Sequence, residues 1–77
     1  MFVYTEYSYI SGNHRKFEVE ARNLEELAKE MIPKLGIGEN SILCTSWNKE
    51  LGGWNGNWKV ETPFGVMHVR DCFIEKY

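Results

Sequence analysis

The sequence predicts a small single α+β domain, residues 1–77, in which one helix packs on one face of an antiparallel β-sheet in the order ββαβββ. Two patterns support this. Residues 16–22 alternate strictly between apolar and charged side chains, which is typical of a strand with one buried face. Residues 24–35 carry apolar side chains at helical spacing, and three further segments rich in strand-forming residues follow them. A helix laid across the sheet would bury both apolar surfaces.

The first two elements are predicted strands joined by a turn. Residues 2–10 are rich in Tyr, Val, Phe and Thr, which favour strands, and the Ser-Gly-Asn-His sequence of residues 11–14 favours a turn. Residues 16–22 form the second strand, whose charged face is expected to meet water. The apolar face of this strand consists of Phe17, Val19 and Ala21.

The helix is predicted to begin after Asn23, a good N-cap residue, with Glu26 placed to complete a capping box. Pro33 lacks an N–H, and its ring would clash with the carbonyl of the preceding turn. We therefore expect a regular helix over residues 24–32 and an exit turn over residues 33–38. Its apolar stripe is Leu24, Leu27, Ala28, Met31 and Leu35.

Three strands are predicted after the helix, at residues 42–47, 58–62 and 66–74, with a turn at residues 62–65. The Asn55-Gly56 pair between the first two favours a two-residue type I′ hairpin turn. In that register Trp54 and Trp58 point to opposite faces of the sheet, so that one is core and the other surface. A wider loop over residues 49–57 is the alternative.

Composition and charge narrow the classes of function. The chain is 43% hydrophobic and 14% aromatic, which predicts a packed core, and its net charge of −2 comes without a cluster of cations. Nucleic-acid binding through phosphate contacts is therefore disfavoured. The amino-terminal residues lack the pattern of a secretory signal, and no apolar stretch reaches the length of a membrane span. We expect a cytoplasmic protein that does not bind membranes.

The tryptophan segment, residues 47–58, is the strongest candidate for a binding surface. It holds all three tryptophans of the chain together with several Gly and Asn residues. Trp is enriched at the centres of interfaces, but large aromatic residues also dominate small cores, so at least two of the three are expected to be core. Trp54, beside the predicted turn, is the one expected to be partly exposed. Asn55 and Asn57 would supply hydrogen-bond donors and acceptors next to it.

Two further groups could add to that surface. Tyr7 and Tyr9 share one face of the first strand, opposite Tyr4, and would form a second aromatic patch if that face meets solvent. Arg15 lies in the only short run of positive character, at the first turn. An ordinary strand edge and a solvated turn are the alternatives.

The last strand invites a catalytic interpretation that we do not favour. Alternation predicts His68, Arg70 and Cys72 on the outward face, where a thiol near cations could be activated. The sequence supplies no orienting residue for such a nucleophile, so a structural thiol is expected, no catalytic residue is assigned and the chain is taken as a non-enzyme. The two cysteines and two histidines lack the paired spacing of a zinc site, so neither a metal nor a cofactor is expected.

The leading hypothesis is a small non-enzymatic accessory protein that docks to a protein partner through the tryptophan segment and an adjoining strand edge, a class that includes phage-type inhibitors of host machines. The alternatives are single-stranded nucleic-acid binding by aromatic stacking and carbohydrate binding by Trp and Asn. A homodimer formed by edge pairing is also compatible with the sequence. The predicted partner-binding residues are Trp54, Asn55, Asn57, Trp47, Trp58, Tyr7, Tyr9 and Arg15.

Overall fold

Five antiparallel strands in one open sheet, together with one helix, make up the fold, and this confirms the predicted class and element order. The computed structural model describes residues 1–7, 12 and 14–77. The elements are β1 (Phe2–Tyr7), β2 (His14–Val19), α1 (Leu24–Leu35), β3 (Ser41–Asn48), β4 (Gly53–Thr62) and β5 (Gly65–Lys76).

The order of strands across the sheet is β2-β1-β5-β4-β3. The last strand of the chain therefore lies in the middle, paired with β1 on one side and β4 on the other. The helix connects β2 at one border of the sheet to β3 at the other. Both border strands have a single sheet neighbour in the described part of the chain.

The helix covers one face of the sheet, which we call the covered face. Its core is made by three helix residues packed against alternate residues of the strands. Trp58 and Tyr4 are both fully buried there, and the Trp58 indole Nε1–H donates a 2.7 Å hydrogen bond to the Tyr4 hydroxyl. The other buried members of this core are Phe2, Val19, Leu27, Met31, Leu35, Cys72 and Ile74. The opposite side, which no helix covers in the described residues, is the open face.

The helix start follows the prediction, and its end does not. The backbone N–H of Glu26 donates to Asn23 Oδ1 at 2.9 Å, as an N-cap requires, while the Glu26 carboxylate accepts from the backbone N–H of Arg22 at 2.7 Å. The bonds that the Glu26 carboxylate accepts from the Arg22 backbone N–H and from the Arg22 guanidinium favour its charged form and lower the pKa of Glu26. The predicted end at residue 32 is wrong, because the helix continues through Pro33 to Leu35, which is buried in the core.

The predicted hairpin turn at Asn55-Gly56 is also wrong. The turn lies at residues 49–52, where Gly52 has a φ of +68° and its N–H donates to the carbonyl of Asn48 at 2.9 Å. Gly56 does not have a positive φ; it lies within β4, and a Cβ there would come within 2.7 Å of Cys72 Sγ. This glycine serves close packing between strands, which has the same sequence signature as a turn.

Moving the turn changes the orientation of the tryptophans. β4 begins at Gly53 rather than residue 58, so Trp54 and Trp58 lie four residues apart in one continuous strand. Since side chains alternate with a period of two, both point to the covered face, and the prediction of opposite faces is wrong. Trp47, directly opposite Trp54 in the β3–β4 ladder, is on the covered face as well.

In β5, the side chains do not all point to the faces of the sheet that the sequence predicts. A register shift lies between Trp58 and Lys59, where Trp58 pairs with Arg70 but Lys59 pairs with His68. This bulge interrupts the alternation, so His68 falls on the open face. Cys72 is buried on the covered face, opposite Gly56, and the prediction of an outward thiol beside His68 is therefore wrong.

The ends of several strands differ by a few residues from the predicted ends. The second strand is His14–Val19 rather than residues 16–22, and the third and fifth are longer than predicted. The predicted end of the first strand, residues 8–10, lies outside the described residues. The predicted turn at residues 62–65 is confirmed: Thr62 Oγ1–H donates to the Gly65 carbonyl at 2.8 Å, and Phe64 at the tip is fully exposed.

Candidate functional site

Trp47 and Trp54 form an edge-on pair at one border of the sheet. Their ring centroids are 4.9 Å apart and their planes meet at 70°, a favourable aromatic geometry. On its inner side, the Trp54 ring packs against the ring of Phe2, with centroids 6.2 Å apart. The pair is therefore in contact with the core. Trp47, at the outer end, remains 58% exposed. We call Trp47 and Trp54 the tryptophan pair.

The tryptophan pair stands at the end of an open strand edge. In the described residues β3 pairs only with β4, so its other edge presents backbone N–H and C=O groups to solvent. Exposed apolar side chains accompany this edge: Ile42 in the strand is 41% exposed, and Leu51 in the following turn is 65% exposed. Backbone hydrogen bonding and apolar contact are thus available side by side.

A groove lies inward of the pair, between the helix start and the sheet. Its volume is about 450 Å³, and Trp54, Phe2 and Leu24 form its apolar surface. The remaining lining residues are Arg22, Asn23, Glu25 and Lys76. An apolar side chain next to a charged group would find complementary surface there.

Trp58 does not belong to this surface. It is fully buried beneath the helix, with its one polar atom bonded to Tyr4, and contributes to the core. The three tryptophans of the segment thus form a graded series: Trp58 is inside, Trp54 is partly buried against the core, and Trp47 is exposed. Trp54 is partly exposed, as expected, whereas the expectation that two of the three are core is wrong at Trp47.

The predicted polar residues lie on the other side of the sheet. Asn55 and Asn57 point to the open face, as does Tyr7, which is 46% exposed and opposite Asp71. The opposition of Tyr4 and Tyr7 is confirmed by their ladder positions, whereas Tyr9 lies outside the described residues. The asparagines are therefore separated from the tryptophans by the thickness of the sheet.

Arg15 is held by an ion pair. Its guanidinium lies 2.8 Å from a Glu6 carboxylate oxygen, and Arg70 reaches the other oxygen of Glu6 at 3.1 Å. Two of the cations that a nucleic-acid interface would use are thus engaged by one carboxylate. Arg15 also lies over the Phe17 ring, 5.5 Å from its centroid.

The cysteines are placed where activation is disfavoured. Burial raises the pKa of the Cys72 thiol to about 11, and the nearest histidine in sequence, His68, lies on the opposite face with its Nε2 bonded to Asp71 at 2.8 Å. Cys44 is on the open face but two strands away from His68, a separation of about 10 Å. Within the described residues no three His, Cys, Asp or Glu side chains cluster as a metal site would require.

Sequence reasoning missed two contributors to these surfaces. No role is predicted for Leu51, which lies between the predicted third and fourth strands and is 65% exposed in the turn. Alternation with His68, Arg70 and Cys72 predicts that Asp71 faces the core, whereas it lies on the open face; the bulge that changes the facing has no marker in the sequence.

No protein-family model, curated protein or solved structure matches this chain. Within the described residues, the helix is too short and too polar to be a membrane span.

Proposed function

We propose that this chain is a non-enzymatic binding protein that docks to a protein partner through the outer edge of β3 and the tryptophan pair. The observation that carries the proposal is Trp47, more than half exposed at the end of an open edge strand. An exposed sheet edge can accept a strand from another chain, and Trp is enriched among the residues that dominate interface energies.

The geometry supports a contact of two parts. β3 has eight residues and spans about 26 Å, so a partner strand could form a ladder of main-chain hydrogen bonds along it. Trp47 would pack on the partner's side chains on the covered-face side, and Ile42 on the open-face side. The main-chain bonds would supply affinity, while the apolar contacts would select the partner.

The charge distribution favours a protein over a nucleic acid as the partner. Glu6 engages Arg15 and Arg70, and the net charge of −2 opposes a polyanion. The groove beside Trp54, with its mixed charges at the rim, resembles the polar border of a protein interface.

The same contact suggests a biological role. A protein that occupies a partner's strand blocks whatever else that strand would bind, so an accessory or inhibitor role, of the kind small phage proteins play, is part of the proposal. Cys44 and Cys72 are free thiols, which fits the reducing cytoplasm.

The test is affinity capture from nuclease-treated lysate, comparing the wild type with Trp47→Ala and Ile42→Lys. Tyr77→Ala is the matched control, because Tyr77 is 71% exposed and lies away from β3. Once a captured protein is identified, Trp47→Ala should weaken its binding by about 30-fold or more, as expected for an interface hot spot. Ile42→Lys places a charge on the edge and should also weaken it.

The controls make the result interpretable. All variants should retain the circular dichroism spectrum of the wild type, and the control should bind as the wild type does. Wild-type affinity in both Trp47→Ala and Ile42→Lys would remove the β3 edge as the docking site. Capture of nucleic acid alone from untreated lysate would replace the proposal with the nucleic-acid alternative.

A further inference from the structure

The open face carries a polar cleft that the docking site does not use. Its volume is about 330 Å³, at the lower end of the range for small-ligand sites. Gly56 and Cys72 line it, and since their positions in the ladder face the covered side, they contribute backbone rather than side chains. The side chains that line it are Tyr7, Ser46, Asn55, Asn57 and Asp71.

One atom in this cleft has no hydrogen-bond partner among the described residues. Asn57 Oδ1 is shielded from solvent, yet no donor of residues 1–7, 12 or 14–77 reaches it. A buried polar atom without a partner is costly in free energy, so such atoms are rare in folded proteins. A half-buried amide whose oxygen lacks a donor is suited to a ligand that brings one.

The lining indicates the chemistry of that ligand. Amide groups, hydroxyls and one carboxylate together offer both donors and acceptors, which a ligand hydroxyl can satisfy because it is itself both. Asp71 is the one charged side chain among the described lining residues; its Oδ1 is bonded to His68 Nε2, which leaves Oδ2 to accept from a ligand hydroxyl, and no Lys or Arg lines the cleft to attract an anion. The lining is too polar for an aliphatic ligand.

The row of side chains across the sheet also matches a flat polyhydroxyl ring. Tyr7, Asp71 and Asn57 are consecutive partners on neighbouring strands, spaced by about 5 Å. Tyr7, with nearly half its surface exposed, presents an aromatic ring at one end of the row. An aromatic ring beside convergent amides and a carboxylate can stack on the C–H face of a sugar while the polar groups bond its hydroxyls.

We propose that the open-face cleft binds a neutral sugar, with Asn57, Asn55 and Asp71 bonding its hydroxyls and Tyr7 stacking on its ring. Its side chains do not include Trp47 or Ile42, on which the proposed docking edge depends, so separate variants test the two proposals. The Asn residues that the sequence placed beside Trp54 thus act with Tyr7 instead.

The experiment is a titration of ¹⁵N-labelled protein followed by two-dimensional NMR, which resolves side-chain amides as well as the backbone. The probes are the methyl glycosides of glucose, galactose and mannose, and N-acetylglucosamine, each taken to tens of millimolar. Glycerol serves as a non-ring polyol. We expect saturable shifts at Asn55, Asn57 and Asp71 with at least one glycoside, with a Kd of about 1 mM.

The variants are Asn57→Ala and Tyr7→Ala, with Asn40→Ala as the matched control because Asn40 lies in an exposed turn outside the cleft. Binding should be lost in Asn57→Ala, weakened at least 5-fold in Tyr7→Ala and unchanged in Asn40→Ala. Tyr7 is exposed, so its variant keeps the test valid even if Asn57→Ala fails to fold. Trp47→Ala should bind sugar normally, which separates this proposal from protein docking.

Three results would overturn the proposal. The first is the absence of saturable shifts with every glycoside. The second is wild-type affinity in the folded Asn57→Ala and Tyr7→Ala variants. The third is an identical response to glycerol, which would show only weak solvation of a polar surface.

Discussion

The two faces of this sheet are built from alternate residues of the same strands, yet they differ in how completely their polar groups are paired. On the covered face, the Trp58 indole and the Tyr4 hydroxyl are fully buried and bonded to each other. On the open face, Asn57 Oδ1 is shielded but has no partner in the described part of the chain. The buried Trp58–Tyr4 pair on the covered face is thus hydrogen-bonded, whereas a shielded oxygen on the open face is left without a donor in the described residues.

The border between the faces adds a third environment. The tryptophan pair begins on the covered face and reaches the outer edge of β3, where Trp47 is left exposed. Residues 47–58 therefore supply a buried ring (Trp58), a partly buried ring (Trp54) and an exposed ring (Trp47). The difference teaches that aromatic content alone does not indicate which residues contact a partner.

The largest effect that would test this contrast is expected on the covered face. Trp58→Ala removes the largest buried side chain and leaves the Tyr4 hydroxyl unpaired, so the free energy of unfolding should fall by about 3–5 kcal/mol. That approaches the total of about 4–12 kcal/mol expected for 77 residues. Urea denaturation would measure it, with Trp47→Ala as the comparison, for which we expect a loss below about 1 kcal/mol. Equal losses would contradict the graded burial of the tryptophans.

A smaller loss is expected from Gly56→Ala. The added methyl would meet Cys72 Sγ at 2.7 Å and Leu43 Cδ1 at 3.2 Å, so overpacking should cost about 1–3 kcal/mol. Gly38→Ala is the control, because nothing lies within 4 Å of a Cβ there and its φ is not positive. Thermal unfolding compares the two. A Gly56 variant as stable as the control would contradict the close approach of Cys72 and Leu43 to this position.

On the open face we expect a substitution to raise the free energy of unfolding rather than lower it. Asn57→Val removes the unpaired amide and should raise the free energy of unfolding by about 1 kcal/mol, while abolishing sugar binding. Asn55→Val is the matched control, since Asn55 is exposed on the same face of the same strand. Urea denaturation of both variants separates the gain from the general preference of strands for Val. A greater gain at Asn55 would show that the Asn57 amide is satisfied.

The smallest expected effect is a loss of stability at alkaline pH, which should be absent at neutral pH. Burial raises the pKa of Cys72 from 9.0 to about 11 and raises that of Tyr4 above its ordinary range. The unfolded chain therefore loses these protons first, and stability should fall as the pH rises from about 9 towards 11. Urea denaturation across that range should show a shallower decline in Cys72→Ala than in Cys44→Ala. Parallel profiles would argue against a buried thiol.

The sequence predicted the fold class, the element order and the helix cap because each depends on local patterns. The alternation of Phe17 and Val19 and the capping oxygen of Asn23 are such patterns, and both are seen in the structure. The helix end was not predictable, because burial of Leu35 outweighs the local penalty of Pro33. That balance depends on tertiary packing.

The candidate site was predictable only in part. The tryptophan segment does border the proposed docking edge, but Asn55-Gly56 has the signature of a turn even where the glycine accommodates a neighbouring sulfur atom. Partner binding by the predicted residues stays a prediction. The open-face cleft could not be predicted, because it brings together residues from β1, β3, β4 and β5 whose register depends on a bulge.

The central position of β5 has a consequence for how the protein is made. β1 and β2 can pair as one hairpin and β3 and β4 as another, but these halves have no strand contact until residues 65–76 enter between them. β5 follows both hairpins in the chain, and until it pairs with them they expose four strand edges. Before β5 pairs, the edges of β1 and β4 that it will occupy are therefore open to pairing with strands of other chains.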